Sequence, residues 1–511
     1  MARTEKRHGS NSVLRMIFVG ISVLGQIGWI LLLILRLNRH FAWISLVTSL
    51  LSLAVVLKLY SKRTSPNMKL PWIMLILAFP VMGLSLFLLI EMAGDVGRIS
   101  KRLKTVRKKT EGALNQDHRV LSAMDSAAAN QSRYLWQYAH SPVYANTAVT
   151  YYGETVDALE AMKADLEKAK KFIFMEYFII QDGVAFGELL DVLRRKSQQG
   201  VEVRVMYDDI GNIGYGNLSF AKRLNSLGVQ CRVFNPAVPI VNLFMNHRDH
   251  RKITVIDGKV GFTGGYNLAD EYFGITRPFG HWKDTGLRLE GEAVRSLTSV
   301  FLEMWSVAGI YPEPEPEKYL AIHHRVPGTS GFVQPYDVDP LGPERIAENV
   351  CLNAIGAAKE RLYFITPYLI ITDELSRSLE LAAKRGVDVR IITPGIPDKK
   401  TVYAVTRSYY AALAIQGVRI YEYTPGFCHA KMWVCDGKIA SVGTSNLDYR
   451  SLYHHFENNV MLYGGDAVSK IQEDFEAMFP QCREVTEQYR SGRSAALRMW
   501  LCVLRLFAPL M

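Results

Sequence analysis

The chain has 511 residues, more than the roughly 250–300 at which a single hydrophobic core stops growing, so at least two domains are expected. Its 60 lysines and arginines outnumber 49 acidic residues, a formal charge of +11 that favours acidic partners such as anionic lipid or nucleic acid without choosing between them. The six cysteines show no CxxC pair or metal-ligand spacing, which suits free thiols in a reducing compartment.

In chain order, the basic start MARTEKRHGS is followed by apolar runs at about residues 16–35, 41–57 and 71–90, the last containing Pro80 as an expected kink. About 20 apolar helical residues cross a bilayer, so two or three transmembrane helices are expected over residues 1–93, with no cleaved signal peptide. Positive charges on the two sides nearly balance. The dense basic cluster after residue 90 and the free cysteines favour a cytoplasmic catalytic region. Residues 94–144 read as a basic juxtamembrane connector, facing anionic lipid or forming a solvated helix.

Two segments of the same internal order follow, residues 145–310 and 336–490. Each runs from a helical stretch to an apolar strand (FIFMEYFII, LYFITPYLII), then to glycine-led strands (GVEVRVMYD and LGVQCRVF; GVDVRIIT and QGVRIYEY). Strands alternating with helices predict α/β repeats built on sheets covered on both faces. The proline- and charge-rich region 311–335 is the expected linker. Residues 491–511 place apolar residues and arginines at helical spacing, predicting an amphipathic C-terminal helix that lies on a membrane or packs on the domain.

Near the end of each repeat stands the same motif, HRKITVIDGKVGFTGGYN at residues 250–267 and HAKMWVCDGKIASVGTSN at residues 429–446. His250, Lys252, Asp257 and Asn267 match His429, Lys431, Asp436 and Asn446 in spacing. On a strand, residues two apart share a face, so each histidine and lysine emerge together. Breaking a phosphodiester in two steps requires a nucleophile, an acid for the leaving alkoxide and cations for the phosphate; the doubled motif supplies all three. Both histidines can face one phosphorus only if the repeats pack about a pseudo-twofold axis. Spacing leaves open which of them attacks. There is no HExxH, carboxylate cluster or GxxxxGK[ST] loop, so no metal or other cofactor is expected.

The two HxKxxxxD motifs resemble those of the phospholipase D superfamily, and the chain most resembles the bacterial cardiolipin synthases, from residue 61 to the tail. The resemblance implies two phospholipase D-like repeats, each a mixed β-sheet flanked by helices, related by a pseudo-twofold and preceded by a transmembrane region. It implies His250 as nucleophile and His429 as general acid and base. Lys252 and Lys431 would hold phosphate oxygens, with Asn267, Asn446 and Thr444 as further phosphate donors. Asp284 and Glu457 would orient the histidines. Asp257 and Asp436 would salt-bridge and fix the motif loops. Gly265 departs from the family pattern, which often has a hydroxyl where Thr444 stands in the second half.

The implied activity is transfer of a phosphatidyl group between two phosphatidylglycerol molecules in a bacterial inner membrane, giving cardiolipin and glycerol. The expected partners are phosphatidylglycerol, other anionic phospholipids and the membrane, with no nucleic acid; the oligomeric state is open. The alternatives are a phospholipase D-type hydrolase or other phosphatidyltransferase and, with less support, a membrane-tethered nuclease.

Overall fold

The computed structural model describes residues 21, 24–29, 41–62, 65–91, 95–110, 112–213, 219–236, 247–309, 315–490, 503–506 and 508. They fall into two compact units, one within Met1–Arg98, Ala237–Asn246 and Cys502–Met511, the other within Ile99–Pro236 and His247–Leu501. Most of the first expected apolar span and of the C-terminal amphipathic helix lies outside the described residues.

In the first unit the run at 41–57 extends into a helix, Phe41–Ser61. The run at 71–90, expected as one kinked span, is instead two helices, Pro66–Ala78 and Pro80–Glu91. Proline lacks the N–H that would continue the ladder and disfavours a helical conformation in the residue before it, and Phe79 sits at φ −134°, ψ 73°. The second helix folds back on the first at Gly83, where a Cβ would lie 2.7 Å from the Ile76 Cα, so only glycine fits. Leu59, Ile76, Leu84 and Phe87 close a small core. Among the described residues no helix is long and apolar enough to cross a membrane.

The second unit begins inside the helix Asp95–Thr110. Leu103 and Val106 of this helix are buried, and Arg107 reaches Glu303 (2.9 Å), Asp337 (2.8 Å) and Asp339 (2.6 Å). Arg102 donates to the carbonyls of Val307 and Gly309, both at 3.1 Å. The basic stretch is therefore amphipathic and docked through its arginines, while Lys101, Lys104 and Lys108 stay exposed.

Each repeat forms a mixed sheet. The first has the order β1 (Thr147–Tyr152), β8 (Gly286–Gly291), β6 (Val260–Gly264), β5 (Lys252–Ile256), β2 (Phe172–Tyr177), β3 (Glu202–Asp208), β4 (Gln230–Phe234). The second has β9 (Phe332–Val338), β16 (Glu457–Tyr463), β15 (Ile439–Gly443), β14 (Met432–Cys435), β10 (Arg361–Ile365), β11 (Asp388–Pro394) and β12 (Arg419–Tyr423) in equivalent places, with β17 (Cys482–Glu484) added at the edge. The apolar strand and the two glycine-led strands of each repeat run parallel (β2, β3, β4 and β10, β11, β12), and the motif hairpins join antiparallel. The helices Val294–Ala308 and Asp466–Met478 follow β8 and β16, and their apolar faces share one continuous core with both sheets, including Phe174, Phe301, Val434, Val460 and Phe475.

The two repeats are also laced together by backbone. The short strands β7 (His281–Lys283) and β13 (Gly426–Cys428) pair in parallel across the interface, and Asp249 bridges Phe456 in the same sense. Of the expected linker, residues 311–314 lie outside the described residues. Tyr319 within it is buried against Phe172 and Phe174 and donates to Glu202 at 2.8 Å.

Candidate active site

Each motif begins at the mouth of a buried hairpin. The β-branched and apolar residues of KITVI and MWVC are covered on both faces, so β5 and β14 are fully buried strands. The hairpins turn at Asp257–Gly258 and Asp436–Gly437, with φ of 52° at each aspartate and 65° at each glycine. Consecutive positive φ values are the requirement of a tight hairpin turn, which Asp-Gly meets at low cost.

The motif aspartates hold backbone amides and, among the described residues, make no salt bridge. Asp257 accepts from the N–H groups of Lys170 (2.8 Å), Lys171 (2.7 Å) and Phe172 (2.9 Å). Asp436 does the same with Lys359 (2.9 Å), Glu360 (2.8 Å) and Arg361 (2.9 Å). Three charge-assisted bonds tie the hairpin turn to the start of the central strand, β2 or β10, at the end of the sheet away from the histidines. The expected salt-bridging role is corrected accordingly: the partner of each carboxylate is the chain entering its own sheet.

The histidines are held across the repeat interface. His250 Nδ1–H donates to Glu457, 2.9 and 3.0 Å from its two oxygens, and His429 Nδ1–H donates to Asp284 at 2.7 Å. Each imidazole in one repeat is thus oriented by the carboxylate of the other. A carboxylate on Nδ1 fixes the tautomer and leaves the Nε2 lone pair for chemistry. Backbone bonds set the register of this exchange. His250 N donates to Phe456 O (2.9 Å), His429 N to Lys283 O (2.7 Å), and Lys252 N to the Asn458 side chain (3.0 Å).

Both lysines are buried beside their histidines. Lys252 Nζ donates to His250 O at 2.7 Å; Lys431 Nζ lies 2.6 Å from Nδ1 and 3.0 Å from Nε2 of His429 and also donates to the His429 carbonyl. Burial pushes Lys252 down to about 7 and Lys431 to about 8, each amine also feeling the neighbouring carboxylates that oppose the fall. Burial likewise lifts Asp284 to about 7 and Glu457 to about 8, against the pull of the lysines. His250 and His429 are driven well below the usual imidazole value, first by burial and then by the lysine cations. Burial disfavours the charged forms of these imidazoles and amines, and an anionic substrate brought among them favours protonation again.

The remaining expected phosphate donors have protein partners. Asn267 accepts from Ile179 N (3.1 Å) and donates to Tyr272 OH (2.8 Å), and Asn446 donates to Asp448 (3.0 Å). The Thr444 hydroxyl, expected on phosphate, donates instead to Glu457 and accepts from Asn458 N at 3.0 Å, so it steadies the acid that steadies His250. Gly265 is explained by the opposite arrangement. A Cβ there would fall 2.1 Å from Asp284 Oδ1, so the carboxylate that orients His429 occupies the place of a side chain.

Several residues that motif spacing does not reveal line the histidines. His250 lies beside Phe178 (5.1 Å between ring centroids) and His455 (5.3 Å); His429 lies beside Tyr272 (5.1 Å), Trp282 (5.7 Å) and Phe427 (5.8 Å). His455 and Trp282 each precede an orienting acid by two residues, which is the one sequence signal that could have found them. Among the described residues one group, His250, His455 and Glu457, brings three metal-capable donors within 4.8 Å of one another.

Two interlocked α/β repeats with crossed histidine–carboxylate pairs define the double-motif architecture of the phospholipase D superfamily. Residues 162–305 and 351–479 match the family described as cardiolipin synthase, PLD-like domain. An uncharacterized protein of Streptococcus mutans is 43% identical over 89% of this chain and 99% of its own length. The cardiolipin synthase of Oceanobacillus iheyensis is 32% identical over 91% of this chain and 98% of its own. In fold, the phosphatidylserine synthase of Haemophilus influenzae superposes with a TM-score of 0.57 at 14% identity, covering 75% of this chain and 99% of that one. The chain belongs to the cardiolipin synthase, PLD-like domain family and is a phosphatidyltransferase of the phospholipase D superfamily.

Proposed function

We propose that the protein transfers the phosphatidyl group of one phosphatidylglycerol to the glycerol hydroxyl of a second, giving cardiolipin and free glycerol. The observation that carries this reading is the crossed orientation of two histidines, each with Nδ1 engaged by the other repeat's carboxylate. His429 enters the step as the imidazolium, its extra proton on Nε2 favoured by the anionic phosphate and by Asp284. His250 Nε2 attacks phosphorus and the P–O bond to glycerol breaks, the alkoxide taking the Nε2 proton of His429. The hydroxyl of the incoming phosphatidylglycerol then gives its proton to His429 Nε2 as its oxygen attacks, and the P–N bond to His250 breaks. Lys252 and Lys431 balance the charge on the non-bridging oxygens. The order of the two histidines follows the family resemblance.

The enzyme is further proposed to work at the bacterial cell membrane, its catalytic unit on the cytoplasmic side. Supporting this, the helix Phe41–Ser61 exposes Trp43, Leu46, Leu50, Leu53 and Leu57. Exposed apolar residues in such number on one helix suit a lipid environment.

The test offers purified protein phosphatidylglycerol labelled in its headgroup glycerol and, separately, in its acyl chains, in vesicles. Cardiolipin with one glycerol released per transfer supports the reading. Phosphatidic acid as the main product replaces it with hydrolysis, and cleavage of nucleic acid in a parallel reaction replaces it with a nuclease.

A further inference from the structure

The two halves of the site differ in one respect that phosphatidyl transfer does not use. Beside His250 stands a second imidazole, His455; at the equivalent place beside His429 stands the indole of Trp282. His455 is 7% exposed, and among the described residues its Nδ1 has no hydrogen-bond partner. That nitrogen lies 3.5 Å from Glu457 Oε1, and His250 Nδ1 lies 3.0 Å from the same oxygen.

We propose that His250, His455 and Glu457 form a binding site for a divalent transition cation of the zinc type, and that its occupancy shuts off catalysis. Tetrahedral zinc holds nitrogen and carboxylate oxygen at about 2.0–2.2 Å, which sets neighbouring donor atoms roughly 3.3 Å apart. The separations of 3.0 and 3.5 Å to the one carboxylate oxygen straddle that value, and all three donors fall within 4.8 Å. Two imidazoles and one carboxylate make a donor set that leaves the fourth position open. Magnesium and calcium prefer all-oxygen shells, so the site discriminates against them.

Binding breaks the bond that readies His250. The cation takes the Nδ1 electron pair, the proton there passes through solvent to Nε2, removing the nucleophilic lone pair, and Glu457 becomes a ligand instead of an acceptor. His250 then loses the orientation its chemistry requires. The second half has only His429 and Asp284 and binds no cation in this way, because Trp282 offers no lone pair in the ring plane. The binding claim is independent of the substrate; the shut-off rests on the proposed transfer reaction.

The test titrates the full-length protein in detergent with cobalt(II), whose visible absorption reports a tetrahedral nitrogen–oxygen site, and then with zinc as competitor. One cobalt per chain is expected, lost in His455→Asn and kept in Trp282→Phe. Zinc should inhibit transfer reversibly, a chelator should restore it, and the inhibitory concentration should rise about 100-fold or more in His455→Asn, each rate taken relative to the same variant without metal. If His455→Asn does not fold, His455→Gln serves with the same readouts. Equal cobalt binding by wild type and the His455 variant, or no tetrahedral band at all, overturns the site. A bound cation that leaves transfer unchanged overturns the shut-off. A protein with no transferase activity still gives the cobalt answer, so failure of the proposed function and failure of this site are told apart.

Discussion

Gly265→Ala is the sharpest test of how the site is assembled. The added Cβ would stand 2.1 Å from Asp284 Oδ1, against the 3.0 Å below which a neighbour must move. No clash of this size is absorbed by bond angles, so the carboxylate retreats by close to 1 Å. Its bond to His429 Nδ1 is 2.7 Å, and a retreat of that size stretches it past hydrogen-bond range. Misplacing a catalytic group by about 1 Å costs about 100-fold in rate. The expected result is therefore a fall of about 100-fold in kcat for transfer from labelled phosphatidylglycerol, equivalent to about 2.7 kcal/mol of barrier. Because Gly265 has no strained backbone, thermal unfolding should move far less than activity. A Gly265→Ala enzyme within threefold of wild type would refute the claim that this glycine exists to make room for Asp284.

The crossed pairing makes Asp284→Asn and Glu457→Gln each lower kcat by about 10³–10⁴, since an amide orients its imidazole in the wrong tautomer; near-normal turnover in either variant removes that carboxylate from the mechanism. Asp257→Ala and Asp436→Ala should each destabilise by about 1–3 kcal/mol by orphaning three backbone N–H groups, seen as a lower midpoint in denaturant, and loss of activity without loss of stability would return these aspartates to the chemistry. Lys252 gives a pH test. Its folded pKa, about 7, lies below the ordinary lysine value of 10.5, so the folded state holds fewer protons between those limits and the burial penalty eases as pH rises through them. Lys252→Met should thus be more stable relative to wild type at pH 7 than at pH 10, and a difference in Tm that does not change with pH would sink the assignment.

The sequence by itself determined the doubling. The matched spacings of His250, Lys252, Asp257 and Asn267 with His429, Lys431, Asp436 and Asn446 placed histidine and lysine at the head of one strand in each repeat. Glycine-led β-branched runs gave the mixed sheets, and Asp-Gly gave the hairpin turns, because strand period and turn chemistry act within a few residues. Local rules were weaker at Pro80, where the chain reverses instead of kinking, and in the Asp95–Thr110 helix, whose Arg107 finds half-buried carboxylates contributed from residues 303–339.

Only the tertiary structure decided who serves whom. His250 and its acid Glu457 are 207 residues apart, His429 and Asp284 145, and nothing in spacing says that each pair crosses the interface rather than staying within its repeat. The same holds for Thr444, which serves Glu457, and for Gly265, whose missing side chain is a space for Asp284. A motif constrains the direction of its own side chains through the backbone dihedrals around it. The partner that completes a buried charge is chosen by which other segment the core packing brings alongside, and that depends on the whole chain at once.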